Sequence, residues 1–106
     1  MIETVRLSQV QRNKLLRIRK NTGIKNWNVL CRWALCYSLS HDDKPPPYIK
    51  GGKTGIEMDW KTFCGSQGEE IYDALSDLVG EDVFYGHIQR GIDILLLKDI
   101  YSDVSN

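Results

Sequence analysis

Four groups of residues have types and spacings that bear on chemistry. Gly52-Lys53-Thr54 matches the end of a phosphate-binding loop, whose backbone N–H groups cradle phosphates. That loop needs a first glycine where Pro47 stands, and no buried strand leads into it, so ATP binding is not expected. His41-Asp42-Asp43 pairs an imidazole with two carboxylates, the donor types of a nuclease metal site. Adjacent side chains in a linker diverge, however, and no other cluster completes a shell. Glu69, Glu70, Asp73 and Asp77 fall on one helix, where paired acids act as acid and base or hold magnesium only beside a nucleophile or a phosphate cradle. None accompanies them, which makes them a solvated face. The three cysteines contain no CxxC pair, and Cys31 and Cys36 point to different sides of one helix. They are expected to be reduced, with Cys31 and Cys36 as small buried hydrophobes, and no metal or cofactor is expected.

What remains is electrostatic. Residues 1–32 carry Arg6, Arg12, Lys14, Arg17, Arg19, Lys20, Lys25 and Arg32 against Glu3 alone, whereas the rest of the chain carries six basic and thirteen acidic side chains. The net charge is zero, yet the charges are segregated, a pattern that points to a polyanion-binding face. Its competitor is neutralisation of the basic half by the acidic half, within one chain or between subunits.

The elements that position these charges follow from local signals. Val5 and Leu7 alternate with Thr4 and Arg6 as in a short half-buried strand. Ser8 with Gln11 forms a capping-box pattern, and Gly23 supplies a left-handed stop, which predicts a first helix from Gln9 to Asn21 or Thr22. On its wheel, Leu15 and Ile18 share a face that Leu16 widens, with Lys14, Arg17 and Lys20 opposite and Arg12 and Arg19 on the flanks. No acid stands at i+4 from these cations, so pairing within the helix cannot account for them. Arg12, Lys14, Arg17, Arg19, Lys20 and Lys25 are therefore the expected contacts to a polyanion. Asn26 then caps a second helix to Ser38 or Leu39 that is apolar nearly all round and must be covered on every side. Trp27, Leu30, Trp33, Leu35 and Tyr37 are expected to supply core or oligomer contacts, part of that cover coming from another copy of the chain.

With 106 residues, one compact domain is expected, in three stretches: a basic strand-helix-helix half over 1–40, a Pro/Gly-rich connector over 41–55 containing Pro45-Pro46-Pro47, and an acidic helical half over 56–101. Lys50 and Lys53 in the connector are further groups able to touch a phosphate backbone. Thr54-Gly55-Ile56 and Trp60 to Cys64 echo Thr22-Gly23-Ile24 and Trp27 to Cys31. No apolar run reaches the roughly 18 residues that a bilayer requires, and Met1 leads into a charged segment, so a cytoplasmic location is expected.

The string Thr22-Gly23-Ile24, Trp27-Asn28, Cys31-Arg32-Trp33-Ala34, Cys36 and Ser38-Leu39, after a basic helix and a short strand, resembles the DndE family of DNA sulfur modification proteins, and the likeness continues through Trp60, Phe63, Cys64, Gly65 and Tyr72-Asp73-Ala74-Leu75. The resemblance implies an accessory protein of DNA phosphorothioation, in which sulfur replaces a non-bridging phosphate oxygen. Other subunits carry that chemistry; the DndE-like component is a DNA-binding oligomer beside them, and a tetramer is the favoured state. The fold expected is mainly α, with a ribbon-helix-helix-like N-terminal half and additional C-terminal helices. A ribbon-helix-helix regulator, its paired strands presenting Arg6 to bases, is the alternative; a small nuclease stands third.

Overall fold

The computed structural model describes residues 2–66 and 68–105, with side chains through Lys98. Strand β1 (Thr4–Ser8) leads into helices α1 (Gln9–Thr22) and α2 (Trp27–Leu39), followed by β2 (Thr54–Asp59), α3 (Trp60–Cys64), α4 (Glu69–Val79) and α5 (Glu81–Ser105). The fold is thus mainly helical, with a single two-stranded sheet among the described residues.

The expected alternation in β1 buries Val5 and Leu7. Their partner comes from the same chain: β1 and β2 are antiparallel, with Val5 opposite Met58, Leu7 opposite Ile56 and Arg6 opposite Glu57. One expectation changes here. Residues 54–59, the end of the connector and the start of the acidic half, form a strand, not a helix, because Ile56 and Met58 alternate inward with Glu57 and Asp59 outward. The ribbon is also complete within one chain, so no intertwined second copy is needed to pair β1.

Helix α1 starts where Ser8 Oγ accepts the N–H of Gln11 (3.3 Å) and stops at Gly23, whose φ of 76° is the left-handed value glycine adopts without a Cβ penalty. The second Thr-Gly-Ile lies instead inside β2, where Gly55 packs against the Gln9 backbone; the two copies of the triplet have unlike conformations. Asn26 precedes α2 in extended conformation, but its side chain makes no capping bond.

The core lies where α5 crosses α2. Leu30, Cys31, Ala34 and Leu35 meet Phe84, Ile88 and Ile92, with Leu15 and Ile18 of α1 and the inner faces of both strands closing the other side. The crossing is close because Gly91 faces Ala34: a Cβ on Gly91 would stand 1.7 Å from the Ala34 carbonyl oxygen. Rings extend this core, with Phe63 stacked 5.2 Å from Trp60 and edge-on to Phe84 at 5.6 Å. The connector is strapped along α5, where Gln89 accepts from the Ile49 N–H (2.9 Å) and donates to the Pro47 carbonyl (3.1 Å). Arg90 donates to the Ser38 carbonyl (2.9 Å) and to the Asp43 carboxylate (3.1 Å), tying the end of α2 to the loop after it.

Candidate nucleic-acid interface

The capped, 14-residue α1 spans about 21 Å at 1.5 Å per residue. It buries Gln11, Leu15 and Ile18 and leaves the rest half-buried or exposed. Lys20 and Lys25 are exposed, and among the described residues neither has an ion-pair partner. Arg17 is exposed on the same side of the helix. Arg12 and Arg19 are half-buried, their guanidinium carbons 6.0 and 5.0 Å from the centre of the Trp27 ring. A cation over a ring is attracted to its negative face by about 0.5–2 kcal/mol, which orders the guanidinium without consuming its N–H donors.

Lys14 is different. Its Nζ stands 2.7 Å from Asp93 Oδ1 of α5, so the acidic half does neutralise this member of the girdle. The residues are 79 apart in sequence, and no i+4 rule reaches that far. The Lys50 and Lys53 loop borders a hollow of about 360 Å³ with Arg6, Tyr48 and Tyr85. Lys50 there lies 3.3 Å from Asp82, and Arg6 lies 3.5 Å from Glu57. Gly52-Lys53-Thr54 runs into strand β2, so the helix N-terminus that completes a phosphate-binding loop is not adjoining it.

Of the apolar residues singled out on α2, Leu30 and Leu35 are fully buried core. Trp27 packs partly buried against that core. Trp33, 46% exposed, and Tyr37, 38% exposed, stand one turn apart on the outer side, with Lys98 Nζ 5.2 Å from the Tyr37 ring. The apolar girth read from the sequence is therefore half satisfied within the chain and half open.

The cysteines divide in the same way. Cys31 is fully buried, and desolvation pushes its thiol up to about 12 against a smaller lowering by Arg32. Burial, then the carboxylates of Asp73 and Glu69, push Cys64 up to about 11. Neither supplies a thiolate at neutral pH. Cys36 is exposed, contrary to its expected burial, because the side of α2 it occupies is left uncovered.

Sequence reasoning missed one polar cluster. Ser38 Oγ lies 2.9 Å from His87 Nδ1 and accepts from Arg90 Nε at 2.8 Å. Desolvation, then the Arg90 charge, hold His87 below its ordinary value, which favours the neutral imidazole. A serine beside a histidine has the types of a nucleophile and its base, but Ser38 is fully buried and no substrate reaches it. Among the described residues no group of three or more His, Cys, Asp or Glu is placed to hold a metal ion, and Asp43 of the His-Asp-Asp run is spent on Arg90.

These features define a class of small, mainly helical domain that sets one cationic helix beside a two-stranded ribbon. Residues 4–102 match the family model of the DNA sulphur modification protein DndE, and the chain belongs to that family. No curated protein matches it. Membership implies a role in DNA sulfur modification. No helix among the described residues is long and apolar enough to cross a membrane.

Proposed function

We propose that the chain is a non-catalytic DNA-binding subunit of a DNA sulfur modification system, acting in the cytoplasm as a homo-oligomer, with a tetramer favoured, and needing no cofactor. The observation that carries this reading is the outer face of α1 and the turn after it, where Lys20 and Lys25 stand without carboxylate partners among the described residues and Arg12 and Arg19 are ordered by Trp27. Such a surface meets phosphates and reads no bases, so it positions a protein on DNA without choosing a sequence. The open Trp33 and Tyr37 patch supports self-association, which repeats the cationic face along the duplex.

A gel-shift series with intact duplexes of unrelated sequence, nicked duplex and single strands tests it. Equal affinity for unrelated intact duplexes is expected, without metal-dependent cleavage. Protection of one palindromic operator alone would instead establish a ribbon-helix-helix regulator, and turnover of DNA an enzyme.

A further inference from the structure

Helix α4 has an outer face that DNA binding does not use. The helix turns Tyr72, Leu75 and Val79 to the core but leaves Ile71 and Leu78 in water, 69% and 83% exposed. Seven residues apart, they form one row of two turns, about 10 Å long. Glu70 and Asp77 lie in the neighbouring row at the same spacing, and Glu69 adds a third exposed carboxylate in the first turn. Among the described residues none of these three acids has an ion-pair partner. Asp73, by contrast, is engaged by Trp60 Nε1. On its other side the apolar row borders a groove of about 460 Å³ between α2 and α4, lined by Leu35, Tyr72 and Leu75 and edged by Cys36 and Leu39. Arg32 also reaches this groove, but it donates to the Phe63 carbonyl at 2.7 Å.

We propose that this acidic, apolar face of α4 docks a segment of another protein subunit of the DNA sulfur modification system, one whose apolar side chains are flanked by Lys or Arg. Large apolar side chains this exposed gain by burial in proportion to the area covered, and the groove beside them admits a side chain from a partner. The three unpaired carboxylates select the charge of that partner and repel nucleic acid. A second copy offers its own cationic helix α1 as a rival occupant. The inference rests on the reading above, in which α1 faces the DNA backbone and is not free to cover α4.

The test measures binding of each other purified subunit of the system to the wild-type chain, to I71S/L78S and to E70K/D77K, with DNA affinity and oligomeric mass recorded for the same samples. One subunit is expected to bind the wild type, and both variants to lose at least tenfold. Oligomeric mass stays unchanged in both, and DNA affinity stays within twofold for I71S/L78S. The charge variant keeps every apolar side chain, so its loss does not depend on how the serine variant folds. The proposal is overturned if no subunit binds the wild type, if either variant binds as tightly as wild type, or if I71S/L78S lowers the oligomeric mass, which would assign the face to a second copy. Loss of wild-type DNA binding with subunit binding intact would sink the DNA-binding reading and leave this surface standing.

Discussion

Single residues differ most in what surrounds them, and the thiols illustrate it. Cys31 and Cys64, held near 12 and 11 by burial, stay protonated at neutral pH, whereas Cys36 faces solvent. Thiol titration of the native protein at pH 8 should find one fast-reacting cysteine of the three, and C36S should abolish that phase; fast labelling of Cys31 or Cys64 would show that their burial is wrongly placed. His87 yields a pH prediction with a definite sign. Its folded value is depressed, so above the ordinary value of 6.5 both folded and unfolded chains hold it neutral and its contribution is fully present. As pH falls through 6.5 and towards the folded value, the unfolded chain binds the proton first and stability is lost. Urea midpoints should therefore decline on acidification, and H87Q, a neutral hydrogen-bonding replacement, should flatten the decline. A slope unchanged by H87Q would mean that other groups govern it. The exposure of Cys36 and the pairing of Lys14 were illegible in the sequence for one reason: a helical wheel says which residues share a side, and says nothing of which side the fold covers or which distant acid comes to meet it.

At the scale of elements, local signals were strong where they act within four residues. Ser8, Gly23 and the apolar stripe of Leu15 and Ile18 specify α1 without help from elsewhere. Strand β2 was not legible, because Thr54-Gly55-Ile56 and Trp60 to Cys64 echo the turn and helix start at Thr22 to Cys31, and its strand state depends on β1 lying beside it. Helix α5 was only partly legible, since Gly86 and Gly91 resemble breaks. Both are explained by close approach: Gly86 lies against the Pro46 carbonyl and Gly91 against Ala34. Gly91→Ala should therefore prise α5 from α2. A loss of about 3 kcal/mol or more is expected, the upper end for inserting a methyl group into packed structure, measurable as a lowered urea midpoint. A variant as stable as wild type would show that the two helices do not cross so closely.

The whole molecule divides into a covered core and separate open faces on α1, α2 and α4. One face of α2 is core, and its outer side leaves Trp33 and Tyr37 exposed, where the proposed oligomer contact lies. Trp33→Glu should place a charge in that contact and leave a folded monomer, read by light scattering at micromolar concentration, since an exposed residue can change without disturbing the core. A wild-type protein that is itself a folded monomer would remove the oligomer from the account. The central claim is that the α1 face binds the DNA backbone, and the salt dependence of affinity tests it most directly. Phosphate contacts release counterions, which gives log Kd against log salt a slope near 0.9 for each phosphate neutralised on duplex DNA. K20E/K25E should weaken binding to unrelated duplexes equally and flatten that slope by about 1.8 for each subunit on the duplex, with the oligomer intact. Unchanged affinity and slope in that variant would contradict the claim and place the DNA contact elsewhere on the molecule.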